Sequence, residues 1–152
     1  MDTLDRVAAE LDIRNLVARY ADAIHRRDPA GWGDTWAEDG IWRLPGLDDP
    51  AEQITMTGRD TLVAAWQAAM AGFPFVWHAI HSGHIAWDGD VPTGRWYLSE
   101  RLLTADGQGL EIFGVYDDRY ARTDAGWRFS ERTFAILYRG PADLAGERFA
   151  CP

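Results

Sequence analysis

Hydrophobic residues recur along this chain with two periods, a helical one in the first half and an extended one in the second. Over residues 3 to 27, apolar side chains fall at the three- and four-residue spacing of one helix face. Asp28-Pro29 then predicts a short helix toward Trp36, because Asp is a good N-cap and Pro is favoured at the first helical position. A third helix is predicted over residues 61 to 70.

The second half alternates with a period of two and predicts an antiparallel sheet. A short strand over residues 41 to 44 comes first, and a polar loop follows Pro45-Gly46. Four longer strands follow, joined by three turns that contain glycine; we place them at residues 76–87, 95–104, 110–122 and 127–138. Helices followed by strands predict an α+β fold, here one domain over residues 1–152 with a core at about 4–140 and a tail at 141–152.

Composition narrows the function classes. The 152 residues include no Lys, so a Lys Schiff base, a phosphate-loop lysine and covalent pyridoxal phosphate are excluded. A net charge of −9 disfavours nucleic acid and anionic membranes as partners. The single Cys151 leaves no disulfide framework, and no apolar run is long enough to span a membrane. We therefore expect a cytoplasmic protein that binds neither nucleic acid nor membrane.

Two charged residues interrupt apolar rows of the predicted strands. Glu100 shares a row with Trp96, Leu98 and Leu102, and Arg132 lies beside the apolar end of the last strand. In a structural interpretation, the two residues form a buried ion pair with each other. In a functional one, Glu100 is an acid or base in a pocket and Arg132 stabilises negative charge on a substrate. Tyr116 lies on the preceding strand, where neither row is cleanly apolar, so the pattern does not show which of its faces is buried.

Three histidines, His78, His81 and His84, lie on one predicted strand. An extended chain separates the first from the third by about 20 Å and turns His81 to the opposite face, so no metal site is expected. Strict alternation puts His81 in an apolar row with Trp77, Ile85 and other hydrophobic residues. It is there either a hydrogen-bonded core histidine or a base that titrates near neutrality.

The first helix carries further candidates at the edge of its buried face. Tyr20, Ala21, Ile24 and His25 form one stripe, whereas Asp22 points elsewhere, toward a structural hydrogen bond or solvent. Trp42, on the short strand, fits either the core or a pocket wall.

Several motifs carry a family resemblance over residues 4 to 140. They are Arg19-Tyr20-Ala21-Asp22-Ala23-Ile24, Trp36-Ala37-Glu38-Asp39-Gly40-Ile41-Trp42 and Gly114-Val115-Tyr116-Asp117-Asp118-Arg119-Tyr120. With them the chain resembles the SnoaL-like branch of the nuclear transport factor 2-like superfamily, and within it the scytalone dehydratase and lindane dehydrochlorinase type. The resemblance implies a cone-shaped α+β barrel, with about three N-terminal helices on a strongly curved, mainly antiparallel sheet that encloses a pocket.

The resemblance also implies an activity. Enzymes of this type eliminate HCl or water without a cofactor, using a strand histidine as base and a helix aspartate that orients it. By resemblance His81 takes the place of the histidine, and His25 stands where the aspartate is expected. Glu100 is then the carboxylate that holds the protonated pair. The resemblance also implies that a set of residues binds the substrate: Tyr20, Asp22, Trp42, Trp77, Leu98, Tyr116 and Arg132.

We therefore expect a cofactor-independent, metal-free lyase or isomerase acting on a small apolar cyclic or aromatic molecule. Alternatives are a non-catalytic ligand-binding or assembly domain of the same fold, or a polyketide cyclase-like enzyme. A subunit that supports a metal-dependent oxygenase is a third, less favoured function. Outward-facing aromatic residues such as Trp127 and Phe129 would predict a homodimer or homotrimer.

Overall fold

The computed structural model describes residues 1–46 and 49–152. Helices and strands follow the predicted α+β order, which is confirmed. They are α1 (Thr3–Arg26), α2 (Pro29–Gly33), β1 (Trp36–Pro45), β2 (Gln53–Thr57), α3 (Arg59–Ala71), β3 (Phe75–Asp88), β4 (Val91–Leu103), β5 (Gly109–Thr123) and β6 (Gly126–Pro141).

Local capping sets the bounds of the first two helices. The Asp2 carboxylate accepts a hydrogen bond from the Asp5 amide at 2.8 Å and begins α1. Arg27 ends it in the left-handed conformation, with a φ of 53°. Asp28 caps α2 through the Gly31 amide at 3.0 Å, and Pro29 is its first helical residue, as the sequence predicts.

Six strands form one mixed sheet in the order β2-β1-β6-β5-β4-β3. All neighbours are antiparallel except β1 and β6, which pair in parallel. The three hairpin turns contain Gly89, Gly107 and Gly126, each with a positive φ that other residues rarely adopt. The inner face of this curved sheet packs against α1 and its neighbouring helices, and the aromatic core lies between them.

The first strand is longer than predicted, and a second short strand is present. β1 starts at Trp36, so the segment Glu38-Asp39 that resembles a helix end is extended chain, paired irregularly with β6. The sequence predicts a polar loop where β2 lies; its side chains are mostly exposed, and only pairing with β1 makes the segment a strand. Residues 47 and 48 of the predicted polar loop lie outside the described residues.

Trp127 and Phe129 belong to the core and not to an exposed face. They are 8% and 0% exposed, so they do not form the outward-facing aromatic surface that the sequence predicts. The outer face instead exposes Trp77, Tyr97 and Phe113 on the strands and Tyr138 beside Phe113, with ring centroids 5.4 Å apart.

No helix in the described ranges has the length and apolar character that crossing a membrane requires.

Candidate active site

A cavity of about 140 Å³ lies between the helices and the inner sheet face. Its walls are apolar and largely aromatic, and Glu100 is the one charged side chain among the lining residues. The full set is Tyr20, Ile24, Trp42, Leu44, Trp66, Ala69, Met70, Phe73, Val76, Glu100, Leu102, Tyr116 and Phe134. A carboxyl group in such surroundings is a candidate acid or base.

Glu100 is hydrogen-bonded to His78, which faces it across the β3–β4 pair. The His78 Nδ1 donates to Glu100 Oε1 at 2.6 Å. The His78 side chain is fully buried, whereas the Glu100 side chain is 16% exposed and reaches the cavity. His78 Nε2 is buried and has no hydrogen-bond partner among the described residues. The two residues therefore form a buried acid–base pair with one member facing the cavity.

His25 supports this pair from the first helix. Its Nε2 accepts a hydrogen bond from the His78 backbone N–H at 3.0 Å, on the free edge of β3. A ring nitrogen that accepts is unprotonated, and partial burial together with the nearby His78 lowers the pKa of His25, against the opposing charge of Asp22. The hydrogen bond from His25 therefore fixes the backbone of β3 and not the imidazole ring of His78.

A second buried ion pair lies beside the cavity. Arg132 donates from Nε and Nη2 to the two oxygens of Asp118, each at 2.8 Å, and both side chains are fully buried. The Tyr120 hydroxyl donates to the same carboxylate at 3.0 Å. Burial opposes the charge on Arg132, but the Asp118 carboxylate outweighs this effect and raises the Arg132 pKa. Arg132 therefore stays protonated and its charge is largely neutralised by Asp118.

The guanidinium of Arg132 also lies against cavity-wall rings. Its Cζ is 3.9 Å from the ring centroid of Tyr116 and 4.3 Å from that of Tyr20. Burial raises the pKa of both tyrosines, and the Arg132 charge opposes that rise. Both hydroxyls therefore remain protonated near neutral pH and can act as hydrogen-bond donors.

Four of the predicted site residues line this cavity: Glu100, Tyr20, Trp42 and Tyr116. Arg132 and His25 lie next to it through the contacts given above. Leu98 is 2% exposed and belongs to the core cluster.

Three predicted residues lie elsewhere. Asp22 is exposed and pairs with Arg26 at 3.0 Å, as its position on the helix indicates. Trp77 is 51% exposed and packs against His25 on the outside of the cavity. The exposed His81 binds Ser99 Oγ through Nε2 at 2.7 Å on the outer sheet face. The structure thus brings neither His81 nor Trp77 to the cavity, which corrects their predicted placement.

A break in strand register explains the placement of His81. Pairing of β3 with β4 shifts between Ile80 and Gly83, so side-chain alternation changes phase there. His78 and Ile80 face inward before the break, and Gly83 and Ile85 pair with inward-facing positions of β4 after it. Strict alternation across this bulge assigned His81 to the inner row and His78 to the outer one.

His78 and Asp118 are the residues that the sequence argument missed. A glycine inside a strand, here Gly83, is the signal that could have indicated the bulge. Asp118 shares a row with Tyr116 and Ile112, and its inward orientation follows only from its pairing with Arg132 across β5 and β6.

Within the described ranges, no three His, Cys, Asp or Glu residues are grouped so that they could hold a metal ion.

Residues 5–133 match the SnoaL-like domain. The chain belongs to the SnoaL-like domain family. This membership confirms the resemblance and places the chain in the nuclear transport factor 2-like superfamily.

Among its SnoaL-like relatives is a gamma-hexachlorocyclohexane dehydrochlorinase from Sphingobium indicum. It is 27% identical over 158 residues, which cover 100% of this chain and 94% of the relative. The solved structure of LinA, a name given to hexachlorocyclohexane dehydrochlorinases, has a TM-score of 0.82 at 25% identity and covers all of both chains. An NTF2-like protein with a cystatin-like fold from Novosphingobium aromaticivorans has a TM-score of 0.71 at 25% identity, covering 88% of this chain and 85% of that one. At family level these relatives support a lyase-like function that needs no cofactor.

Proposed function

We propose that this protein catalyses a cofactor-independent elimination or proton shift on a small cyclic molecule bound in the cavity. The observation that carries the proposal is the 2.6 Å hydrogen bond between His78 and Glu100, at the charged point of an otherwise apolar wall. Glu100 is the member that faces the ligand, so it is the general base. His78 donates to it and positions it.

The bond changes balance without any further reactant. Glu100 takes a proton from a ligand carbon, and the electrons of that C–H bond form a new C=C bond. In an elimination, the leaving group departs from the adjacent carbon with its bonding electrons, and Glu100 then releases the proton to water. In a proton shift, the negative charge moves to a carbonyl oxygen, and Glu100 returns the proton to another atom of the ligand. Tyr20 and Tyr116 donate hydrogen bonds to that developing charge, and the Arg132 guanidinium packed against their rings helps to hold them in place.

This mechanism differs from the one expected from the sequence. There, His81 was the base, His25 its partner and Glu100 the carboxylate behind them. Here Glu100 contacts the ligand, His78 replaces His81, and His25 acts through the backbone of β3. The carboxylate that pairs with the histidine lies on β4 and not on the first helix, and in this proposal it is the base that the histidine positions.

Exchange of carbon-bound hydrogen in heavy water tests the proposal. Cyclohexanone is a suitable probe because its acidic C–H groups exchange without a leaving group. We expect Glu100→Gln to slow protein-catalysed exchange by roughly 10²- to 10⁴-fold, the usual contribution of a general base. His78→Gln keeps a donor toward Glu100, so its loss should be smaller.

His84→Gln, an exposed change on the same strand, serves as the control and should match the wild type. Equal exchange in wild type and Glu100→Gln would remove Glu100 as the base. A loss confined to His81→Gln would support the role predicted from the sequence.

A second candidate, a non-catalytic ligand-binding domain, is favoured by one observation. A histidine dyad requires His25 and His81 to converge, but His25 bonds the backbone at the free edge of β3 whereas His81 bonds Ser99 on the outer sheet face. Ligand binding without measurable exchange on any cyclic ketone would support this candidate.

The oligomeric state and the cellular location remain predictions. A homodimer or homotrimer is supported by the exposed Trp77, Tyr97, Phe113 and Tyr138 of the outer face, because monomers seldom leave such patches bare. A monomer in sedimentation equilibrium would contradict it. The cytoplasmic location rests on composition alone.

A further inference from the structure

The geometry points to an interface between two copies of this chain, in which α1 packs antiparallel against α1 of the second copy. This inference goes beyond the proposed function and does not depend on turnover. It concerns the side of α1 that faces away from the core, and it does not use the outer sheet face.

The first half of α1 exposes a stripe of large aliphatic side chains. Leu4, Val7 and Leu11 are 80%, 52% and 60% exposed. Their spacing of three and four residues places them on one face of the helix, and the buried residues of α1 lie on the opposite face. The buried residues of that half and the next turns are Ala9, Ile13, Leu16, Val17 and Tyr20. The helix is therefore apolar on both sides, and an exposed apolar stripe of this kind is typical of an interface.

The second half of α1 offers a surface that fits such a stripe. Ala18 and Ala21 are small, and they line an apolar groove together with Ile80 of β3 and Trp96 of β4. The Arg14 guanidinium lies over the Trp96 ring, 5.5 Å from its centroid, and forms one wall of the same groove. Small residues let a second helix approach closely, so that its large side chains pack into the space above them.

Large residues in one half and small residues in the other make α1 complementary to itself in the reverse direction. In an antiparallel pair, residues 4–11 of each copy lie on residues 18–21 and their neighbours in the other copy. Leu11 packs beside Ala18 of the second copy, and Leu4 beside its His25, because these four positions recur every seven residues. A two-fold axis relates the contacts, so each occurs twice and the assembly closes as a dimer.

The charges beside the stripe agree with this orientation. Charged residues recur every seven positions along one flank, with acids in the first half and bases in the second: Asp5, Asp12, Arg19 and Arg26. Antiparallel packing brings Asp12 near Arg19 of the second copy, and it likewise brings Asp5 near Arg26. Parallel packing would place like charges together, which is unfavourable. Among the described residues, neither aspartate has an ion-pair partner in its own copy.

The two arginines can exchange partners at little cost. Arg19 pairs with Asp34 at 3.2 Å and Arg26 with Asp22 at 3.0 Å, and all four side chains are about half-exposed. Surface pairs of this kind contribute little to stability. The flanking charges therefore determine the orientation of the two helices, and the aliphatic stripe supplies the affinity.

Sedimentation equilibrium across a dilution series tests the interface. We expect the wild type to associate reversibly and Leu11→Gln to weaken that association by roughly tenfold or more, because the two-fold axis places the change in the interface twice. Leu137→Gln, a matched change of an exposed leucine on β6, is the control and should associate like the wild type. Unfolding midpoints of both variants show that they are folded.

A wild type that stays monomeric, or equal association of the wild type and Leu11→Gln, would overturn the inference. Weakening by Leu137→Gln and not by Leu11→Gln would assign the interface to the outer sheet face instead.

Disulfide cross-linking tests the antiparallel orientation. Leu11→Cys and Ala18→Cys are each made with Cys151→Ser, so that each protein holds one thiol. A mixture of the two should form the mixed disulfide on oxidation. Leu11→Cys alone should form little, because at 1.5 Å per residue its two copies lie about 10 Å apart along the helix axis, beyond the roughly 7 Å that a disulfide spans. Efficient cross-linking of Leu11→Cys with itself would indicate a parallel pair and overturn the proposed packing.

Discussion

Asp118 shows how strongly a single residue can matter when it is buried with its partner. Its carboxylate satisfies two guanidinium donors of Arg132 and one hydroxyl of Tyr120, all shielded from solvent. Removing one partner of a buried ion pair leaves an uncompensated charge, which is the costly event. The adjacent Asp117 makes an ion pair of the same chemistry with Arg95, but on the surface, where such pairs contribute little.

We predict that Asp118→Asn lowers the free energy of unfolding by roughly 3–5 kcal/mol, because Arg132 keeps its charge in a fully buried site. Asp117→Asn is the matched control and should leave the unfolding midpoint close to that of the wild type. Urea denaturation of the two variants measures the difference. Equal effects in the two variants would mean that the Arg132 charge is satisfied in another way.

A second residue-scale prediction concerns pH. The pKa of His25 is below its usual value of 6.5 in the folded protein, because burial and His78 disfavour the charged form. Below pH 6.5 the unfolded chain therefore binds a proton that the native state resists. Stability should fall as the pH falls through this window, and the His25 contribution should be constant above it.

His25→Gln keeps an acceptor toward the His78 amide but does not titrate. We expect its unfolding midpoint to depend less on pH than that of the wild type between about pH 7 and pH 5. His84→Gln, with an exposed imidazole, should retain the wild-type dependence. A His25→Gln profile that parallels the wild type would show that His25 is not the titrating group.

At the scale of an element, the bulge in β3 decides which histidine enters the site. Gly83 lies at the point where the pairing resumes, and its backbone approaches Trp96 closely. A Cβ atom there would lie 2.3 Å from Trp96 Cε3 and 2.6 Å from the Arg95 carbonyl oxygen. Neither the backbone oxygen nor the buried indole can move away freely.

We predict that Gly83→Ala destabilises the protein by roughly 1–3 kcal/mol, the usual cost of overpacking. Because the strand must shift to relieve the clash, the position of His78 relative to Glu100 should change too, and hydrogen exchange on cyclohexanone should slow. Gly146→Ala, with open space around the added atom, is the control and should change neither property. Wild-type stability in Gly83→Ala would contradict the close approach described above.

The strand with the bulge also shows where prediction from sequence stops. Alternation correctly separated His78 from His81 onto opposite faces, since they lie on opposite sides of β3. It assigned the faces the wrong way round, because the rows were read through the bulge with one constant phase. A pattern with a period of two holds no information about phase beyond an inserted residue.

At the scale of the whole molecule, the site depends on contacts between distant segments. His25 and His78 are 53 residues apart in the chain, and His78 and Glu100 are 22 apart. The parallel pairing of β1 with β6 brings Trp42 opposite Arg132 and closes the aromatic wall. The apolar cavity results from this assembly and from no segment alone.

The sequence by itself determined the α+β order, the capped first helices, the glycine turns of the three hairpins and several cavity residues, including Glu100, Tyr20, Trp42 and Tyr116. These follow from local chemistry: the period of a helix face, the preference of Asp for an N-cap, and a charge in an apolar row. Only the tertiary structure decided that His78 binds Glu100, that Asp118 neutralises Arg132 and that His81 lies outside. Each of these depends on strand phase and on pairing between distant residues, and both are settled by packing in three dimensions.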